Sequence, residues 1–465
     1  MKNLKTIIKN ARIVTSGNDT KLVNIFIENG LIEKIEDIKE TGGQKGLKDL
    51  SDNKDFSSLD GLEGFGKDLT SQLEGEGLRA YDAQGMITLA GGIDVHVHLR
   101  EPGFEEKETI RTGTRAALRG GYTTLMPMPN LNPHPDCLEA IEKYMDIIKK
   151  DALVNVFPTA CITRKSLGRE LVDMKAIKEK FRIRAFTDDG VGIASEEMMR
   201  RAMEEAKKND SIIVAHTEDM SYRKSNSSVH EGENAKEHGW VGIPSETEYK
   251  QVERDLELAR KTGAKYHICH MSAKESVEAL RRYKKLGADV SGEVTCHHLM
   301  LTEDQVIDTN YKMNPPLRTE EDRQALIEGL LDGTIDCIAN DHAPHTEEEK
   351  KREMVRAPFG IVGIETAIPL IYTNFVKAGI FTLEDFQKFI SENPAKRFNY
   401  TNKGKIKPGY DADIIILSEE EQIIRKEDFL SKGTNTPFEG YKCKGYPAYT
   451  FVGGICKYEK GQIHE

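Results

Sequence analysis

The sequence predicts an α/β fold: a (β/α)₈ TIM-like barrel with a small composite β-sandwich domain built from both chain termini. Three observations predict it. Strand-like and helix-like segments alternate eight times between residues 88 and 400. Polar residues able to do chemistry cluster just past the C-terminal ends of the expected strands, the face on which such barrels place their sites. Short strand-like runs without helices lie at both ends of the chain, and neither set is long enough to form a good domain alone.

Residues 1–87 supply the first part of the β domain. Strands are expected at Lys5–Ile8, Arg12–Val14, Val23–Glu28 and Leu31–Glu36, separated by Asn, Gly and Asp turns. Residues 39–79 change character to Gly, Asp, Lys, Ser and Glu, with few aromatics, and read as a flexible insertion without chemistry. The barrel occupies 88–400. Its strands are expected at about 93–97, 123–126, 154–158, 182–186, 212–216, 266–270, 289–294 and 335–340. Helices are expected at about 108–119, 136–149, 170–180, 195–208, 245–261, 274–285, 319–331 and 363–377. Ser195 suits an N-cap, and Glu196 and Glu197 suit the positive end of the helix it opens. A doubly wound open sheet would carry a Gly-rich phosphate loop after its first strand, and none is present. After a helix near 382–390, residues 401–465 return to strand-like segments, clearest at Asp413–Leu417 and Ala448–Tyr458.

Composition narrows the function. The chain has 465 residues, 38% of them hydrophobic, enough to bury a large core. A formal charge of −11 with no long basic cluster argues against nucleic acid and anionic membrane as partners. No apolar run is long enough to span a bilayer, and the start leads into strand-like sequence rather than a signal peptide. Seven scattered cysteines without a Cys-x-x-Cys pair read as reduced thiols, hence a cytoplasmic protein.

The organising stretch is Asp94-Val95-His96-Val97-His98-Leu99-Arg100. Strand alternation places His96 and His98 on one face, able to grip one metal ion, with Val95 and Val97 turned into a hydrophobic layer. Arg100 follows on the histidine face, where its guanidinium suits a carboxylate. Further polar residues stand in strand-end register: Asn130, the pair Asp188 and Asp189, His216, His270, Asn314 and Asp341. Each alone has a plain structural explanation, and their common register is what points to a site. His267 falls opposite His270 and reads as structural; His297 and His298 read as supporting or packing groups.

Asp94–Glu108, Gly120–Asn130, Phe186–Gly190, Met313–Arg318 and Asp341–His345 together resemble the long, class I dihydroorotases of the amidohydrolase superfamily. The resemblance implies two zinc ions: His96 and His98 on the first, His216 and His270 on the second, with Asp341 touching the first and acting as general acid/base. Many relatives bridge the metals with a carbamylated lysine. No lysine occurs in 182–191; Asp189 falls at the bridging place, with Asp188 its rival. The chemistry implied is reversible hydrolysis of dihydroorotate to N-carbamoyl-L-aspartate, in pyrimidine biosynthesis, by a zinc-bound hydroxide. Arg100, Asn130 and His345 would hold the substrate carboxylate, Asn314 the ring amide, and the backbone of Phe359 and Gly360 the ring. Residues 346–356 read as a mobile charged stretch leading into that loop. The resemblance also implies a homodimer and a possible aspartate transcarbamoylase partner. An allantoinase or hydantoinase, which usually carries the bridging lysine and lacks the Arg, is the near alternative, and a non-catalytic partner subunit the distant one.

Overall fold

The computed structural model describes residues 5–38 and 78–465. The expected insertion lies outside the described residues over 39–77. Its last two residues open a strand, Leu78–Asp82, that runs parallel to Lys5–Ser16.

Eight parallel strands make the barrel wall. Gly92–Val97, Tyr122–Pro127 and Asn155–Val156 form one sheet. Ala185–Phe186, Ile212–Ala215, Lys265–Ile268, Val290–Thr295 and Cys337–Ala339 form another. Two isolated bridges join them into a closed ring. Ala160 pairs with Phe186, and Val97 with His342, where the His98 amide donates to the His342 carbonyl over 2.8 Å. Closure removes the exposed edges that an open sheet would leave.

Several elements differ from expectation in ways the backbone explains. The third and fourth strands are two residues long rather than 154–158 and 182–186. Arg182 instead caps the helix Met174–Phe181 in the left-handed region, φ 60°. That helix starts later than 170 because Asp173 accepts a hydrogen bond from the Ala176 amide and so fixes its first turn. The segment expected as one helix at 363–377 is α-helical over Ala367–Ile371 and passes into a π turn over Tyr372–Val376. Ser195 does cap Glu196–Lys208, accepting from the Met198 amide. Val95 and Val97 are both fully buried but not in one layer. A register shift between Asp94 and Val97 sends Val97 into the main apolar cluster and Val95 into a smaller one with Ile93, Val214 and Phe398.

Among the described residues, nine strands from both chain ends share one mixed sheet. The pairing that joins the ends is antiparallel, Ile87–Ala90 against Ile414–Leu417. Ile87–Ala90 also runs parallel to Lys5–Ser16, so this strand belongs to the terminal sheet and the barrel wall begins at Gly92. The expected strand Ala448–Tyr458 is a hairpin, Pro447–Val452 and Ile455–Glu459, turning at Gly453 and Gly454, both at positive φ. No helix among the described residues is long and apolar enough to cross a membrane, and all seven cysteines are free.

Candidate metal centre

At the C-terminal mouth of the barrel, four imidazoles and two carboxylates converge from five strand ends. His96 Nε2 lies 3.4 Å from Asp189 Oδ1 and 3.5 Å from Asp341 Oδ1. His98 Nε2 lies 2.9 Å from Asp341 Oδ1 and 3.7 Å from Asp189 Oδ2. Across the cluster, His216 Nδ1 stands 2.9 Å from His270 Nε2, and these atoms lie 3.8 and 3.9 Å from Asp189 Oδ1. Asp189 is thus common to two triads, one with His96 and His98 and one with His216 and His270. Asp188 is not part of the cluster: its oxygens accept from the Ile162 and Thr163 amides and the Thr163 hydroxyl.

Partners outside the cluster set the tautomers. His96 Nδ1–H donates to Glu293 Oε1 at 2.7 Å, His98 Nδ1–H to Asn130 Oδ1 at 2.9 Å, and His216 Nε2–H to Glu218 Oε2 at 3.2 Å. The opposite nitrogen of each ring then turns a lone pair into the cluster. Lone pairs and carboxylate oxygens facing one another at these distances repel unless a cation stands between them. The buried atoms His96 Nε2 and Asp189 Oδ1 have no hydrogen-bond partner, as ligands awaiting an ion would. The charges of the cluster pull its groups in different directions. Burial opposes ionisation of Asp189, yet the imidazoles of His96, His98 and His216 hold its carboxyl well below the usual carboxylate range. Burial opposes protonation of His96 too, but Asp189, Asp341 and Glu293 lift its ring above the ordinary histidine value. Burial, with His216 and His96 nearby, pushes His270 well below that value, leaving it a neutral base. Imidazole and carboxylate donors in this number fit a divalent ion such as zinc.

Three of the residues sit on strained backbone. Arg100, His270 and Asp341 have φ of 62°, 31° and 46°, a region non-glycine residues rarely occupy. Each lies beyond its strand, which ends at Val97, Ile268 and Ala339 respectively. Their side chains are therefore aimed by left-handed turns, which for Arg100 and His270 replace the strand alternation expected from sequence.

The remaining expected residues line the rim. Arg100 Nε donates to the Pro344 carbonyl at 3.2 Å, and its Nη2 lies 3.4 Å from His345 Nε2. His345 Nε2–H donates to the Phe359 carbonyl at 2.9 Å; burial and the charges of Arg100, Lys107 and Lys350 push its pKa down to about 3, so it stays neutral. Asn314 Nδ2 donates to Glu218 Oε2 at 3.1 Å. Asn130, expected on the substrate, spends its carbonyl on His98 and points its Nδ2 at Asp189, 3.4 Å away. Gly360 adjoins Phe359 at φ 118°, open only to glycine. His267, His298 and His342 are all engaged away from the cluster, with Ser291 and Glu293, Thr295 and Pro315, and Glu108 respectively.

Sequence reasoning missed Glu293, Glu218 and Asp94. Glu293 is fully buried in the strand Val290–Thr295, and a lone acid in such a strand was the available signal. Asp94 accepts from the Asn340 side chain at 2.6 Å and from the His96 and Asn340 amides. It thereby ties the first strand to the eighth; burial pushes its carboxyl up to about 7.

Comparison with known proteins agrees with this architecture. A family model described as Dihydro-orotase-like matches residues 85–276. A dihydroorotase of Halalkalibacterium halodurans is 46% identical over 99% of this chain and 100% of its own. One of Staphylococcus aureus (strain MRSA252) is 52% identical over 82% of this chain and 90% of its own. An L-hydantoinase structure from Arthrobacter aurescens superposes with TM-score 0.82 at 24% identity, covering 99% of this chain and 97% of that one, which speaks to the shared barrel fold. On the strength of the full-length relatives, this chain belongs to the dihydroorotase family.

Proposed function

We propose that this chain is a class I dihydroorotase that interconverts (S)-dihydroorotate and N-carbamoyl-L-aspartate, with two zinc ions held by His96, His98, Asp189, His216, His270 and Asp341. The observation that carries the reading is the convergence of these side chains, from strands far apart in sequence, beside the guanidinium of Arg100. Identity of 46–52% with dihydroorotases favours this substrate over allantoin or hydantoin, and the intact donor set speaks against a non-catalytic subunit.

Bound zinc supplies Lewis acidity and a water that ionises near neutral pH. The chain supplies the rest. Asp341 accepts the proton of the attacking water and delivers it to the leaving ring nitrogen; in cyclisation it carries the proton the other way. Arg100 takes the substrate carboxylate through paired hydrogen bonds, with Asn130 and His345 beside it. Asn314 meets the ring amide, and the main chain of Phe359 and Gly360 meets the ring.

The proposed division is 1–87, 88–400 and 401–465, its first boundary falling inside the strand Ile87–Ala90 that pairs with the terminal sheet. The terminal sheet folds over itself as a sandwich, supported by one apolar cluster that joins Ile8, Ile25, Ile414 and Phe451. A cytoplasmic site of action is supported by the seven free thiols. The homodimer and the aspartate transcarbamoylase partner rest on the family alone.

The test is to follow ring opening with zinc-loaded protein on dihydroorotate, allantoin and hydantoin, with metal analysis and a solution mass. Turnover of dihydroorotate with two zincs per chain is expected. Activity confined to allantoin or hydantoin overturns the assignment.

A further inference from the structure

Against the loop that carries Phe359 and Gly360 lie two buried lysines that this reading does not use. Lys312 is 2% exposed and Lys350 is 6% exposed. Among the described residues neither ammonium has a carboxylate ion-pair partner. Lys312 Nζ donates to the Met354 carbonyl at 2.5 Å and the Ala357 carbonyl at 2.7 Å. Lys350 Nζ donates to the Gly360 carbonyl at 3.0 Å and the Pro358 carbonyl at 3.2 Å. Four carbonyls of one short loop are thus taken by two cations.

Burying an ammonium without a counter-ion costs free energy, and a Met or Leu would fill the space without that cost. What a hydrocarbon cannot do is hold main-chain carbonyls in place. The loop in question carries Phe359 and Gly360, and its Phe359 carbonyl accepts from His345 at the rim. Other contacts fix it to the same frame: the Gly360 amide donates to the Lys312 carbonyl at 2.9 Å, and Asn435 Nδ2 to the Gly360 carbonyl at 3.0 Å. The Phe359 ring lies between cations, with Lys312 Nζ 4.3 Å and the Arg223 guanidinium 5.0 Å from its centroid. Residues 346–356, which read from sequence as a mobile charged stretch, include the helix Glu347–Lys350, and this helix delivers the second cation.

We propose that Lys312 and Lys350 are positioning residues that pin the main chain of residues 354–360, so that Gly360, its own amide and carbonyl held within the protein, sets Phe359 against the substrate ring. The proposal rests on the dihydroorotase reading for its substrate but not for its geometry.

The experiment compares the full-length zinc-loaded parent with Lys312→Met, Lys350→Met and the milder Lys312→Gln and Lys350→Gln. Two readouts are taken: steady-state kinetics on dihydroorotate, and the rate of tryptic cleavage after the exposed Lys351, Arg352 and Arg356. Each Met variant is expected to raise KM about tenfold, through lost hydrogen bonds to the loop carbonyls, while kcat changes far less. Each is also expected to be nicked about fivefold or more faster, with dihydroorotate protecting the parent but not the variants. Parental KM in a folded variant overturns the proposal, whether or not nicking accelerates. Parental nicking overturns it as well. Should Lys312→Met not fold, Lys312→Gln and the two Lys350 variants decide by the same criteria. A parent inactive on dihydroorotate refutes the substrate reading, and the cleavage rates then still judge the pinning of the loop.

Discussion

Glu293 Oε1 accepts the Nδ1 proton of His96 at 2.7 Å, although the two residues lie 197 positions apart in the chain. The same oxygen also receives the His270 amide at 3.2 Å, and Oε2 receives His267 Nε2–H at 2.9 Å. One buried carboxylate therefore orients the His96 ring of the first proposed metal subsite and holds the main chain of His270 in the second. Glu293→Gln replaces an acceptor by an amide that offers His96 a donor as readily, which frees the wrong tautomer. Zinc affinity, read by chelator competition, is expected to fall about 10–100-fold. Parental affinity in the folded variant would show that Glu293 has no hold on the metal.

Arg100 offers the clearest separation of substrate from metal. It touches the Pro344 carbonyl and His345 but none of the cluster nitrogens. Arg100→Met should raise KM for dihydroorotate about 10–100-fold, the worth of a charge-assisted pair, with zinc content intact. Loss of zinc from this variant would remove Arg100 from the role of carboxylate anchor.

Asp341 stands 2.9 Å from His98 Nε2 on a backbone at φ 46°, aimed at the cluster. If it carries the proton, Asp341→Asn lowers kcat by about 10²–10⁴-fold and leaves calorimetric binding of dihydroorotate nearly unchanged. A variant that keeps more than a tenth of parental kcat places the acid/base group elsewhere.

Lys350 gives a prediction on pH. Burial, reinforced by the charge of Lys312 and opposed by Asp308 and Glu349, pushes its pKa down to about 7. An unfolded lysine titrates at roughly 10.4. Between these values the unfolded chain binds the extra proton, so this group makes stability rise with pH; below about 7 both states are protonated and the slope vanishes. Lys350→Met loses that contribution. Urea unfolding at pH 6.5 and 9.5 should show the parent gaining stability relative to the variant at the higher pH. Equal changes in both proteins would mean that the folded lysine keeps its proton across the window.

The barrel was legible because its signals are local. Alternation of strand and helix patterns, the Ser195 cap and the strand-end register of His96, His216 and Asp341 all follow from neighbours along the chain. The choice between Asp188 and Asp189 was not. Adjacent aspartates look alike in sequence, and only the fold shows one engaged by the amides of Ile162 and Thr163 and the other among imidazoles. How Asn130 uses its amide was not legible either: a side-chain amide carries both donor and acceptor, and which partner takes its oxygen depends on where His98 comes to rest.

By itself, then, the sequence determined the element types, the barrel class and the set of residues gathered at its mouth, since these depend on periodicity and on which residue types can bind metal. Tertiary structure alone decided which nitrogen of each histidine faces the cluster and that Glu293 stands behind His96. It also decided that Lys312 and Lys350 grip a single loop. Those outcomes turn on hydrogen bonds between strands and loops brought together by barrel closure, and no short-range pattern along the polymer encodes the partner of a buried proton.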